Sequence, residues 1–312
     1  AYADGASTLK TIELLNEFDR NNKNFFLTVG FQKPHLPFTP PKTYWDLYQR
    51  DDIKLAEFQS KSIGSPQEAY HQSGELRNYH DTEPSMDENG IVNEAKQREL
   101  IHGYMASVSF IDAQVGMILD HLESTGMDEN TVVVFFGDHG WHLGDHGLWN
   151  KHSNFEEATR TPLIFKSPDI DGGFVNDSPV ELLDIFPTVC TLAGIPKPDD
   201  LDGISLVPIL EKKSEYLRDF AISQYPRRCN VMRSVIGRYP DDCTLMGYAV
   251  RNEKYRYIAW VSGDFEDRSD FNNDEIVMEE LYDYEIDPLE TKSYASDASY
   301  QKVKEEMIKD LR

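Results

Sequence analysis

Thr131-Val132-Val133-Val134-Phe135-Phe136-Gly137-Asp138-His139-Gly140-Trp141-His142-Leu143-Gly144-Asp145-His146-Gly147-Leu148-Trp149-Asn150-Lys151-His152-Ser153 is the stretch that decides the fold. It opens as a short run that is apolar on both faces, the pattern of a central parallel strand covered above and below. A carboxylate and an imidazole follow at once, at the carboxyl end of that strand, where open α/β sheets bind their ligands. Glycines at 137, 140, 144 and 147 allow tight turning and close approach to a ligand. Four of the nine histidines fall within residues 136–153. A strand that delivers Asp138 and His139 into such a loop predicts a metal or anionic-substrate site. Taken singly, His142 and His146 read as solvated loop histidines. Zinc on His139, His142 and His146 lacks an HExxH helix and its spacing.

Outward from this stretch, Leu100, Tyr104, Val108, Ile111, Val115, Ile118 and Leu122 form one stripe and predict a helix over 94–124, ended by Gly126. Residues 7–20 carry helical spacing as well. Phe25-Phe26-Leu27-Thr28-Val29-Gly30 reads as a second buried strand, broken by Pro34 and Pro37. Residues 51–95 are polar with turn signals and read as a long surface insertion. A helix is expected over 180–193. Past about residue 210, alternating segments at 248–251, 255–260 and 280–283 predict an antiparallel sheet, closed by a helix over 299–312. The expectation is an α/β protein: a mostly parallel sheet flanked by helices over 1–210, then a small antiparallel-sheet subdomain over 211–312.

The chain has 312 residues and a formal charge of −24, and 39% of its residues are hydrophobic. That is enough apolar material for a large core. The charge argues against nucleic acid as partner, because phosphate binding needs a basic face. Twelve acidic residues and one basic residue lie between 264 and 290 and read as a solvated acidic loop. No run approaches the roughly 20 apolar residues of a membrane span. Three cysteines, Cys190, Cys229 and Cys243, make no disulfide scaffold and no zinc spacing, although Cys229 and Cys243 are close enough in sequence to pair.

Asp138-His139-Gly140, Gly144-Asp145-His146-Gly147 and Trp149-x-Lys151 together resemble the sulfatase branch of the alkaline-phosphatase superfamily. The resemblance runs on through Lys33-Pro34-His35-Leu36-Pro37-Phe38, Ala158-Thr159-Arg160-Thr161-Pro162, Asp202-Gly203-Ile204 and Leu281-Tyr282-Asp283 with Asp287-Pro288-x-Glu290. Lys151-His152-Ser153-Asn154-Phe155, Ser223-Gln224-Tyr225-Pro226-Arg227 and Met246-Gly247-Tyr248-x-x-Arg251 are most similar to the iduronate-2-sulfatase branch. The resemblance implies sulfate-ester hydrolysis on a sulfated carbohydrate, a 2-sulfated uronate of a polysaccharide or glycosaminoglycan. It also implies a secreted, periplasmic or lysosomal setting. Asp138 and His139 would be ligands of a calcium ion (Ca2+). Lys151 would stabilise charge on the sulfate, and His35 would hydrogen-bond the sulfate or its leaving group, with proton donation as one role open to it. Trp141 and His152 would line the sugar pocket, with His152 standing where close family members carry Tyr. Lys33 and Arg160 would meet a substrate carboxylate.

Such enzymes use a formylglycine made from the first residue of a Cys/Ser-x-Pro-x-Arg motif. None of the three cysteines sits in one, and neither Ser167-Pro168 nor Ser178-Pro179 completes one. The family's N-terminal Asp-Asp metal pair has no counterpart here either. The expectation is a chain corresponding to the C-terminal two thirds of the family domain, inactive alone, partnered by a companion N-terminal fragment of the same protein. Two alternatives are open. One is a phosphomonoester or phosphonate hydrolase of the same superfamily. The other is a non-catalytic protein that binds sulfated glycans.

Overall fold

The longest element shows how locally the chain is instructed. The computed structural model describes residues 2–82, 85–87, 90–228, 244–262 and 276–311. Helix α1 spans Ala3–Arg20 and α2 spans Glu94–Thr125. Asn93 caps α2 by accepting the Lys96 backbone N–H, and Gly126 ends it in the left-handed region at φ 74°. A glycine there adopts this conformation without the Cβ penalty of other residues. Strands β1 (Val133–Phe136), β2 (His142–Leu143), β3 (Trp149–Asn150) and β4 (Leu163–Lys166) follow. Helix α3 (Glu156–Thr159) lies between β3 and β4, and α4 (Ile185–Leu192) comes after them. Strands β5 (Phe220–Arg228), β6 (Thr244–Asn252), β7 (Tyr255–Ser262) and β8 (Ile276–Asp283) and helix α5 (Gln301–Asp310) complete the order.

Two compact units are present. One comprises residues 1–57, 74–133 and 166–169; the other comprises 58–73, 134–165 and 170–312. In the first, Leu15, Leu122 and Met127 are buried together, with Phe25, Leu27 and Val133 packed against them. In the second, β5-β6-β7-β8 form an antiparallel sheet in that order, so β5 is an edge strand. Pro226 is accommodated in β5 because an edge strand has one side where a missing N–H breaks no ladder.

Strand β7 explains why this sheet is the centre of the second unit. Its side chains alternate faces, as pleating requires. Tyr257, Ala259 and Val261 join Leu281 and Met307 in one core, while Ile258 and Trp260 join Leu148, Phe155, Tyr70 and Tyr282 in the other. Helix α5 covers the first face. The second face carries the segment around β3 and Phe155, so the glycine- and histidine-rich loop is anchored on a rigid sheet.

Three expectations are corrected. Residues 25–30 form no strand; they alternate half-buried and exposed side chains, and Phe26 is 82% exposed. The period is that of a strand, but among the described residues none pairs with it. β1 is not covered on both faces: it pairs with β4, and Phe136 and Ile164 are 47% and 57% exposed. Residues 51–95 are not a solvated insertion, since Ile53, Ala69, Tyr70, Leu76 and Val92 are buried. The possible Cys229–Cys243 pair and much of the acidic 264–290 segment lie outside the described residues. Among the described residues, no helix is long and apolar enough to cross a membrane.

Candidate functional site

Strand β1 ends at Phe136, and the chain turns through Gly137 into Asp138 and His139. Gly140 then passes so close to the 157–160 segment that a Cβ there would lie 2.0 Å from the Glu157 carbonyl oxygen. Only glycine permits that approach. The turn is tied down by hydrogen bonds from the Gly140 N–H to the Ala158 carbonyl (2.9 Å) and from the Thr161 hydroxyl to the Gly137 carbonyl (2.6 Å).

Asp138 is 84% exposed, and its Oδ2 lies 3.6 Å from His139 Nε2. His139 Nδ1 is 2.8 Å from the Gly140 carbonyl oxygen, which can only accept. Nδ1 therefore carries a proton, and Nε2 faces the Asp138 carboxylate. That is how a ligating histidine is oriented by its second nitrogen. One open carboxylate oxygen beside one open imidazole nitrogen fits part of a divalent-cation ligand set. Among the described residues, these two are not joined by a third such group.

The His139 and Trp141 rings are 6.0 Å apart, and Lys151 Nζ stands 5.0 Å over the Trp141 ring. Asp138, His139, Trp141 and Lys151 are thereby linked in sequence along one loop surface of the second unit. His152 is held differently. Arg227 donates to its carbonyl oxygen, and its ring is 5.7 Å from the rings of both His71 and Tyr225. Arg227 also donates to the Glu68 carbonyl (2.8 Å) and stacks on Tyr225. Arg160 is an exposed side chain directed to Glu156, 3.8 Å away.

Lys33 and His35 belong to the first unit, on one proline-flanked loop. The backbone N–H groups of Gln32 and Lys33 donate to the Asp4 carboxylate, and Lys33 Nζ donates to the Pro37 carbonyl at 2.6 Å. Burial lowers the Lys33 pKa, opposed by the Asp4 charge. The His35 Nδ1 is 3.0 Å from the Leu36 carbonyl oxygen, and its Nε2 is 3.5 Å from Glu75.

His142 and His146 are not solvated, which corrects the single-residue reading. His142 is fully buried with Nε2 2.7 Å from Ser153 Oγ. His146 is sandwiched against Phe155, ring centroids 4.1 Å apart. Burial holds the His142 pKa well below the usual value and that of His146 at about 4, so both are neutral. His71 falls to about 3 through burial, then the Arg227 and His152 charges.

Beneath them runs a charged network that pattern reading missed. The fully buried Arg256 pairs with Glu156 and with Glu290 (3.0 Å), and donates to the Asn154 carbonyl and Tyr284 hydroxyl. Glu290 in turn accepts the Glu156 N–H at 3.1 Å. Burial raises the Glu157 pKa to about 7, helped by the Glu290 charge. Glu290 was visible only as a motif position after Asp287-Pro288. Nothing in the local sequence joins it to Glu156, 134 residues away.

The family model described as Sulfatase matches residues 2–195, and the one described as N-sulphoglucosamine sulphohydrolase, C-terminal, matches residues 144–312. Iduronate 2-sulfatase of Mus musculus is 31% identical over 95% of this chain, which spans 62% of the mouse protein's length. A solved structure described as a complex with its substrate D-glucosamine-2-N,6-O-disulfate superposes with a TM-score of 0.76 at 22% identity, covering 99% of this chain and 68% of the other. The phosphonate monoester hydrolase of Agrobacterium radiobacter gives 0.73 at 23% identity, covering 100% and 61%. These superpositions show the expected alkaline-phosphatase/sulfatase-like α/β fold.

Proposed function

The chain belongs to the sulfatase family, and on that premise we propose that the whole protein is a sulfuric ester hydrolase acting on a sulfated carbohydrate. The substrate class is a 2-sulfated uronate of a polysaccharide or glycosaminoglycan, supported by the likeness to iduronate 2-sulfatase. The observation that carries this reading is the Lys151 ammonium over Trp141, next to the Asp138–His139 pair. Cation, aromatic platform and open ligand pair suit a sugar bearing an anionic ester.

In the proposed reaction a nucleophile attacks sulfur and the S–O bond to the sugar breaks, leaving the electron pair on the sugar oxygen. Lys151 stabilises negative charge on the sulfate oxygens where water is excluded. His35 donates a proton to the departing oxygen. Trp141 and His152 line the sugar pocket, and Lys33 and Arg160 meet a substrate carboxylate. A calcium ion held in part by Asp138 and His139 supplies positive charge at the sulfate when bound. The nucleophile, a formylglycine, comes from outside this chain. A companion N-terminal segment of the same protein supplies it and covers the exposed apolar residues Phe136 and Ile164. Division between a catalytic α/β domain and a C-terminal subdomain near residue 210, and a secreted, periplasmic or lysosomal setting, are parts of the same proposal.

The test is an assay of the whole protein on a 2-O-sulfated uronate disaccharide and on an aryl phosphonate monoester. Sulfate release is expected, and Lys151→Ala lowers kcat about 10²–10³-fold, the size of losing one preorganised charge contact, with the unfolding midpoint unchanged. Phosphonate cleavage without sulfate release would replace the reading by its superfamily alternative. Sugar binding without turnover would make it a glycan-binding protein.

A further inference from the structure

His146, Glu157 and Glu290 converge from three separate segments of the second unit. His146 lies in the turn between β2 and β3, Glu157 on α3, and Glu290 in the turn that follows β8. Their ligand atoms all lie within 4.8 Å of one another, the one such group of three among the described residues. The side chains of His146 and Glu290 are each 1% exposed. His146 Nε2 is 3.9 Å from Glu157 Oε2 and 3.8 Å from Glu290 Oε2, beyond hydrogen-bond reach. Glu157 Oε2 is buried with no hydrogen-bond partner.

The protons decide what these three groups want. Ser62 has a single hydroxyl hydrogen, which it donates to the Glu290 carbonyl oxygen at 2.5 Å. Its Oγ, 3.3 Å from His146 Nδ1, is then left to accept, so Nδ1 carries the imidazole proton. The Nε2 lone pair consequently points at two carboxylate oxygens. With Glu157 ionised, three electron-pair donors face one another in a largely buried space, Glu157 being 26% exposed, an arrangement that a cation between them relieves in place of a proton. The local charges agree. Arg256 pairs with both Glu156 and Glu290, and Arg251 lies 3.2 Å from Glu156. Glu157 is the third carboxylate beside those two guanidinium groups; a further one, Arg160 at 3.8 Å from Glu156, is 77% exposed.

We propose that His146, Glu157 and Glu290 form a second divalent-cation site, separate in its residues from Asp138 and His139, that takes a zinc-type ion. One imidazole nitrogen with two carboxylate oxygens suits zinc better than calcium, which takes 6–8 oxygen ligands. Zinc bonds of about 2.0–2.2 Å in tetrahedral array put ligand atoms roughly 3.4 Å apart. The observed 3.8–3.9 Å spacings close to that with movements of a few tenths of an ångström. The ion acts structurally: it clamps the loop carrying Trp141 and Lys151 to α3 and to the turn after β8. Ser62 on His146, and Tyr284 and Arg256 on Glu290, orient its ligands.

The test uses the chelator-stripped chain, dialysed against micromolar ZnCl2, with bound metal counted by elemental mass spectrometry. About one zinc per chain is expected in the wild type and in Asp138→Asn, with at least a tenfold loss of affinity in Glu157→Gln. Zinc should raise the thermal midpoint of the first two and not of the third. Asp138→Asn keeps this result independent of the proposed catalytic calcium. Should Glu157→Gln fail to fold, anomalous scattering at the zinc edge from wild-type crystals decides: a peak at His146 Nε2 supports the site, and a peak elsewhere or none overturns it. Unchanged zinc content in a folded Glu157→Gln protein, or no zinc in the wild type, overturns it equally.

Discussion

The two larger sheet regions are built from similar apolar material and end in opposite states. At β7, inside the β5–β8 sheet, both faces are covered from within the chain, so Tyr257, Ile258, Ala259, Trp260 and Val261 are all buried, while Ile222 on the edge strand β5 is 44% exposed. In β1 and β4 the residues of equal hydrophobicity, Phe136 and Ile164, are about half exposed. Residues 25–30 keep the alternating exposure of a strand without a partner. The difference teaches that apolar patterning marks where a sheet surface will be, while burial depends on what else arrives to cover it. An exposed apolar strand of this kind is a pairing surface. The C-terminal sheet supplies its own cover; the first does not, among the described residues.

The largest expected effect sharpens the finished side of this comparison. Arg256→Ala removes the one guanidinium that, among the described residues, pairs with the buried Glu290, and one of those beside Glu156. Leaving a buried carboxylate uncompensated costs about 3–5 kcal/mol. Urea unfolding of the variant should show a loss of that size; a loss below about 1 kcal/mol would mean that the network is not what holds Phe155 and its loop on the sheet.

A smaller effect comes from His71. Its Nδ1 accepts the Ser73 N–H at 2.9 Å, so protonation there breaks a bond as well as burying a charge. The folded pKa of about 3 lies below the unfolded value near 6.5, so the folded state binds fewer protons between them. The contribution is therefore present above pH 6.5 and fades as pH falls toward 3. From pH 6.5 to 5 the wild type should lose about 1–2 kcal/mol through this group. His71→Gln should flatten that part of the stability profile, read from denaturant midpoints across pH.

The smallest effect on the chain by itself tests the unfinished side. In the chain by itself Ile164→Ser should shift stability by less than about 0.5 kcal/mol, as surface substitutions do. In the whole protein the same change should cost about 1–3 kcal/mol if the proposed N-terminal segment covers this side chain. Equal losses in both forms would break the comparison.

What was legible in the sequence follows the same division. Helix α2 was readable to within a residue because its stripe and its Gly126 stop are local; the Asn93 cap is local too but was not read. The antiparallel sheet was readable at β6–β8 from alternation. Strand β5 was quoted only as a motif, since Ser223-Gln224-Tyr225-Pro226-Arg227 hides its period behind polar residues and a proline. Residues 58–73 were misjudged because what they bury is partly polar: Ser62, Glu68 and Ser73 find partners on distant segments. The loop residues Asp138, His139, Trp141 and Lys151 were legible because they lie within 14 positions of one another. The neutral, buried state of His142 and His146 was not, since Ser62, Ser153 and Phe155 decide it through contacts in space.

The most direct measurement is amide hydrogen exchange at residues 25–30, 133–136 and 163–166, compared between this chain alone and the whole protein. The account expects these amides to exchange quickly in the chain alone, β5–β8 to be protected in both, and protection of the first three segments to rise at least a hundredfold in the whole protein. Equal protection of all three in both forms would contradict it, for the first sheet would then need no covering beyond these 312 residues.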